Sequence, residues 1–264
     1  LLERGWEVRA VSRSSTNLRR AFGSLDVERV EGDLLEADAT LRVSAGCDLL
    51  VNSIGLPLDH IEDHPTAARH VVAAMRQTGA RGLHVSSFWA YLPVRRLPLN
   101  EDHPREGGNL PVRMRRQAED IMQAAGAAVV HLPDFFGPEV HTSTIQNALR
   151  EAVTRATISW PGSTEVAREY LFVPEGMRLV ADLAAREEAW GRRWIIPGAG
   201  PLTLTDLQIL VEGALDRPVK VRSAGPLMLR LLALGSPELR RFMPMMGHYV
   251  RPIRYDAGRL EQPL

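Results

Sequence analysis

Apolar and polar positions alternate along this chain in two distinct periods. Short apolar runs at Trp6–Val11, Val27–Val30, Asp48–Ile54, Gly82–Ser86 and Ala127–Leu132 are bounded by polar or small residues, the pattern of strands. Between them, helical periodicity covers about 16–22, 36–44, 64–78 and 112–125. The helix over 64–78 is the clearest: Ala67, Ala68, Val71, Val72 and Met75 share one face, and Gly79 closes it. Pro111 suits the first turn of the next helix, where no amide donor is needed. Strands alternating with helices predict parallel crossover units, hence a doubly wound α/β fold.

The rhythm changes after residue 133. A loop with Pro133, Gly137 and Pro138 leads to a helix near 142–155 and then to short strands at Ala156–Trp160 and Glu169–Val173. Pro174-Glu175 starts a further helix, Arg193–Ile196 reads as a strand, and Thr203 or Thr205 caps a helix ending at Leu215. The remainder, rich in Leu and Met, reads as helical, with Leu227, Leu231 and Leu234 on one face expected in the core. The division expected is a dinucleotide-binding core over 1–133 and a smaller mixed lobe over 134–264 on the substrate side, with elements returning to the core.

The first residues, LLERGWEVRAV, read as the last turn of a helix, a left-handed Gly5 and a strand. That opening is expected of a Rossmann-like sheet that lacks its first strand and Gly-rich phosphate loop, with weak cofactor binding and an aggregation-prone exposed sheet interior as consequences.

Composition narrows the function classes. Lys plus Arg and Asp plus Glu both number 32, so no net field favours nucleic acid or an anionic membrane. Lys220 is the only lysine. The single cysteine, Cys47, precedes an apolar run and is expected as a buried structural thiol. The most apolar stretch, Pro226–Leu234, contains Arg230 and is too short to span a bilayer. A cytoplasmic protein is expected, binding a small-molecule substrate but neither nucleic acid nor membrane; a homodimer is left open.

Four strand ends carry candidate chemistry. Ser12-Arg13-Ser14 ends the first strand and presents a planar guanidinium suited to phosphate oxygens. Gly32-Asp33-Leu34 follows the next, where Asp33 can also cap a helix. Asn52-Ser53-Ile54-Gly55 follows the third, and Gly55 permits close backbone approach. Ser86-Ser87-Phe88-Trp89-Ala90-Tyr91 follows the fourth.

This ordered set resembles the extended and atypical short-chain dehydrogenase/reductases, specifically the NAD(P)-dependent epimerase/dehydratase group. The resemblance covers nearly the whole chain. It also rests on Leu132-Pro133-Asp134-Phe135-Phe136-Gly137-Pro138 and Arg168-Glu169-Tyr170-Leu171-Phe172-Val173-Pro174-Glu175. It implies a cofactor site built from Arg13, Ser12, Asp33, Leu34, Asn52, Ile54, Gly55, Ser86 and Pro133, with NADP favoured over NAD. It places the substrate-orienting hydroxyl at Ser87 and a structural or substrate-facing phenol at Tyr91.

The family's Y-x-x-x-K pair is absent. Anchored on Ala118-Glu119, its Tyr falls on Pro111 and its Lys on Arg115. Proline has no proton to exchange, and arginine stays charged, so it can hold a ribose hydroxyl but not act as a base. Asp134, Tyr91 or His103 would have to supply the proton, with Asp134 favoured because it follows the Ala127–Leu132 strand at the cleft edge. The expected function is an NAD(P)-dependent oxidoreductase or epimerase-like protein. The alternative is a non-catalytic dinucleotide-binding sensor or assembly factor on the same fold.

Two other patterns carry less. His60 and His64 have helical spacing, but Pro65 biases His64 away from the α conformation, so a metal site is not expected. Ser87, His84 and Asp134 lack the elbow of a hydrolase, and His84 points to the opposite face of its strand. Arg113, Arg115 and Arg116 are expected on a solvated helix face.

Overall fold

A four-stranded parallel sheet carries the centre of the fold in this computed structural model, which describes residues 1–261. Its order is β3 (Leu49–Asn52), β4 (Arg81–Ser87), β5 (Ala128–Leu132), β9 (Arg193–Ile195). A separate parallel pair joins β1 (Arg9–Ser12) to β2 (Glu28–Glu31), with α1 (Ser15–Phe22) crossing between them. The helix α2 (Ala37–Ser44) then leads to β3, whose only strand partner among the described residues is β4; Val51 on β3 is exposed.

Helices cover both faces of the central sheet, as a parallel sheet requires. On one face lie α3 (His64–Thr78) and α4 (Leu110–Ala124), where Ala68, Val71, Val72 and Met75 meet Ala118 and Met122. Gly79 ends α3 in the left-handed conformation at φ 75°. Gly82 on β4 permits the close fit of α3, since a Cβ there would fall 2.5 Å from the Met75 sulfur. Against the other face packs α6 (Val173–Ala184), through Val180, Leu183 and Ala184 on Leu83, Val130, Leu132 and Trp194. This is the doubly wound α/β architecture that the alternating pattern predicts.

The second half adds β6 (Asp134–Phe136), α5 (Thr144–Arg155), β7 (Thr157–Pro161) and β8 (Arg168–Phe172) before α6. After β9 come β10 (Pro201–Leu202), α7 (Leu204–Leu215), β11 (Lys220–Ala224), α8 (Pro226–Gly235), α9 (Pro237–Phe242) and α10 (Gly258–Glu261). β8 stands between β6 and β10, while β7 pairs with β11. Local signals fix several starts. Asn109 accepts from the Val112 amide at α4, Ser143 from Gln146 at α5, and Thr203 with Asp206 forms a capping box at α7.

Several expectations need correction. The chain after Leu215 is not all helix: β11 forms by pairing with β7, a long-range partner that no local pattern announces. Leu227, Leu231 and Leu234 are exposed instead of buried, because α8 presents Leu229 and Ala233 to the protein. His64 adopts the α conformation despite Pro65, as the first residue of α3, and is buried, whereas His60 is exposed. Asp33 does not cap α2; it accepts from the Leu35 amide in its own turn, and the helix begins after Glu36. Cys47 is half-buried beside Arg9, not fully enclosed. Arg116 is buried, donating to the carbonyls of Ala90, Leu92 and Gly107, so of the three arginines only Arg113 lies on a solvated face. Among the described residues, no helix is long and apolar enough to cross a membrane.

Candidate functional site

The carboxyl ends of the parallel strands are where loops can present polar groups without breaking the ladder. At the first of these ends the Arg13 guanidinium, largely exposed, stands 4.0 Å from the Asp33 carboxylate. The β1–β2 register sets Ser12 opposite Glu31, which brings the two following turns together. Ser12 Oγ accepts from the Ser14 amide, while Ser14 caps α1. Leu34 offers its carbonyl to His70 on α3, 2.9 Å away, a tie the sequence did not announce.

At the end of β3, Asn52 accepts from the Ile54 amide at 3.3 Å and turns the chain. A Cβ at Gly55 would meet no atom within 4 Å, so the backbone there faces open space. Asn52 sits opposite His84 in the β3–β4 register, and Ser87 opposite Leu132, so that Pro133 and Asp134 follow directly beside the end of β4.

Alternation along β4 sends Ser86 and Ser87 to opposite faces. Ser86 is buried and donates to Glu119 on α4. Glu119 is fully enclosed; it also accepts from Arg105 at 2.5 Å and lies 3.1 Å from His131 Nε2. Burial alone would raise the Glu119 pKa, but His131, Arg105 and the Ser86 hydroxyl together hold it well below the usual carboxylate range. Ser87 is half-buried and caps the turn Phe88–Tyr91 by accepting from the Trp89 amide.

Arg115, where the resemblance leads one to expect a lysine, lays its guanidinium over the Trp89 indole, 5.2 Å from the ring centre. Its Nε is buried and has no partner among the described residues, as are Asn52 Nδ2, His64 Nε2 and His84 Nδ1. Burial, with Arg115 nearby, lowers His64 to a pKa of about 3 and His84 to about 4, so both rings are neutral at pH 7.

None of the three candidate proton donors is free. Tyr91 is fully buried, its hydroxyl 3.5 Å from His131 Nδ1, and burial pushes its pKa far up. Asp134 accepts from Arg168 at 2.9 Å, and Arg168 is itself enclosed between the rings of Phe88 and Tyr249. His103 Nε2 accepts from the Arg95 amide at 2.9 Å, while its Nδ1 lies 2.8 Å from the Pro104 carbonyl. The sequence offered no sign of the Arg168 pairing beyond the position of each residue after its own strand. Past Tyr91, the chain forms one wall of a cavity of about 210 Å³ lined by Leu92, Pro93, Val94, His248, Arg251 and Ile253.

A family profile described as NAD(P)H-binding matches residues 1–132. No curated protein matches the chain in sequence. Solved structures do resemble it. UDP-glucose 4-epimerase from Bifidobacterium longum, in complex with NAD+ and UDP, is 16% identical, with a TM-score of 0.75 over 99% of this chain and 86% of that one. A dTDP-glucose 4,6-dehydratase from Streptomyces venezuelae with NAD bound is 17% identical, with a TM-score of 0.75 over 97% and 80%. The corresponding dehydratase from Bacillus anthracis, in complex with NAD, is 11% identical, with a TM-score of 0.76 over 98% and 81%. At these identities the likeness is one of fold.

Proposed function

Because the chain belongs to the NAD(P)H-binding family, we propose that it binds a nicotinamide dinucleotide along the carboxyl ends of β1 to β4, NADP in preference to NAD, and works as an oxidoreductase or epimerase-like protein on a small carbonyl or sugar-type substrate. The observation that carries this reading is the meeting of Arg13 and Asp33 at the ends of two paired parallel strands. A planar guanidinium there suits a 2′-phosphate, and no acid follows β1 in the chain itself, the nearby carboxylates being Asp33 and Glu31 of the neighbouring strand end. The residues fit a nucleotide: Gly55 opens onto free space, and the unpartnered donors Asn52 Nδ2 and Arg115 Nε lie buried on the elements around that strand end.

In this reading Arg13 binds the adenosine-side phosphate and Asp33 with the Leu34 backbone lies against adenine. Arg115 holds a ribose hydroxyl beside the nicotinamide, and Ser87 orients the reacting oxygen of the substrate. Ser86 and Pro133 shape the floor between them. A bound nicotinamide supplies the hydride donor or acceptor. The complex of the Bifidobacterium epimerase with NAD+ and UDP supports a sugar-type substrate. The small apolar cavity with Arg251 on its wall supports a small carbonyl compound.

A second reading, a non-catalytic dinucleotide sensor or assembly factor, is favoured by one specific observation. Pro111 replaces the phenol, and Tyr91, Asp134 and His103 are each committed to internal partners. General acid–base catalysis contributes about 10²–10⁴-fold, so its loss would leave binding without useful turnover. Fluorescence titration with NADPH and NADH, followed by NADPH oxidation against sugars, ketones and enones, tests both. Failure to bind either nucleotide overturns the whole proposal; binding without oxidation of any compound selects the sensor.

A further inference from the structure

The helix α8, Pro226-Leu-Met-Leu-Arg-Leu-Leu-Ala-Leu-Gly235, is inverted relative to an ordinary amphipathic surface helix. Its inward side is narrow, only Leu229 and Ala233 being buried, with Leu229 against Met246 and Tyr249. Its outward side is apolar: Leu227, Leu231 and Leu234 are 72%, 61% and 74% exposed, and Met228 and Leu232 join them. At 3.6 residues per turn these five side chains fill an arc of about 160°. Arg230 falls at the edge of that arc, where a long cation can reach sideways past apolar neighbours.

Cations predominate on α8 and the elements packed against it. Five exposed cations lie there: Arg230 on α8, Lys220 and Arg222 on β11, and Arg240 and Arg241 on α9, with Arg241 paired to Asp59 at 3.2 Å. Arg240 donates to the Leu234 carbonyl at 2.9 Å and so stands at the carboxyl end of α8, while Lys220 and Arg222 lie on β11 just before it.

From the outward apolar arc of α8 and the cations ringing it, we infer that this face seats on an anionic lipid bilayer surface. Leucine and methionine without aromatic or hydrogen-bonding anchors suit fluid acyl chains better than a specific protein pocket. The cations suit acidic headgroups, and the attraction is screened by salt. A second copy of the chain is disfavoured, since a two-fold contact through α8 would set these cations against their own counterparts. The inference stands whether the protein turns over substrate or only senses a dinucleotide.

The test is co-sedimentation of the full protein with vesicles of phosphatidylcholine alone and of equal parts phosphatidylcholine and phosphatidylglycerol. Binding to the anionic vesicles is expected at least ten-fold above the neutral ones, falling several-fold between 0.05 and 0.5 M salt. The double substitution Leu231→Glu, Leu232→Glu should abolish it, while Ile209→Glu, Leu210→Glu, an exposed apolar pair on α7, should not. Melting curves of both variants matching the parent exclude misfolding as the cause. No binding by the parent, equal binding to both vesicle types, or unchanged binding by the α8 variant overturns the proposal. So does a dimer by light scattering that the α8 variant splits, which would make a second copy the occupant.

Discussion

Arg168 and Asp134 form an ion pair at 2.9 Å, with Arg168 enclosed between two aromatic rings. The pair joins the start of β8 to the start of β6, and Arg168 also donates to the His248 carbonyl, which ties in the C-terminal segment. Asp134 is thereby tied into the packing of the second half of the chain.

Removing one member of such a pair leaves a buried charge without compensation, at a cost of about 3–5 kcal/mol. Asp134→Ala is therefore expected to lower unfolding stability by that amount, and Asp134→Asn by less. Urea denaturation monitored by tryptophan fluorescence checks this. A loss for Asp134→Ala within 0.5 kcal/mol of zero would show the pair to be replaceable by water.

Arg13 is expected to set nucleotide preference. A charge-assisted hydrogen bond is worth about 1.5–3 kcal/mol, so Arg13→Ala should weaken NADPH binding by roughly 10- to 100-fold and leave NADH nearly unchanged. Equal losses for both nucleotides would place Arg13 away from the 2′-phosphate.

Glu119 gathers Ser86, Arg105 and His131 at one buried point. Glu119→Ala should cost about 3–5 kcal/mol, because Arg105 and His131 lose their common partner. Ser86→Ala removes one hydroxyl donor to an ionised group and should cost about 1.5–3 kcal/mol. Thermal melts of the two variants give the ratio; similar losses would contradict a hub at Glu119.

Acid sensitivity should begin well above the carboxylate range. His64 and His84 are held neutral in the folded protein, with pKa values of about 3 and 4, against an ordinary value of 6.5. As pH falls below 6.5 the unfolded chain takes up protons that the folded one refuses, so stability present above 6.5 is lost progressively toward pH 4. One such histidine costs about 2 kcal/mol by pH 5. His84→Gln should flatten the decline of Tm between pH 6.5 and 5, and an unchanged slope would exclude His84 as its source.

Local pattern revealed much of the fold. Pro111 and Thr203 are found at helix starts, and Gly79 at a helix end, because capping is decided by a few neighbouring residues. Strand β11 was hidden because its stabilisation comes from β7, about 60 residues away, and its own side chains are mostly exposed. The outward turn of α8 was hidden for the same reason: periodicity shows that Leu227, Leu231 and Leu234 share a face, not which way that face points.

The site divides along the same line. The strand-end motifs told which residues would sit at the carboxyl edge, since that follows from chain order. They did not tell that Tyr91 turns inward to His131, or that Asp134 finds Arg168, because both partners come from distant parts of the chain. Arg116 likewise looked like a solvated cation until the irregular loop over 90–107 supplied three carbonyls for it.

Burial lowers the pKa of the Arg115 guanidinium stacked on Trp89, yet it remains a cation that no physiological alkalinity can discharge, unlike the titratable ammonium that the family resemblance would place there. Any hold this position has on a nucleotide is thus constant with pH. A Lys enzyme can trade that charge for a proton in flight; this protein keeps a fixed electrostatic peg.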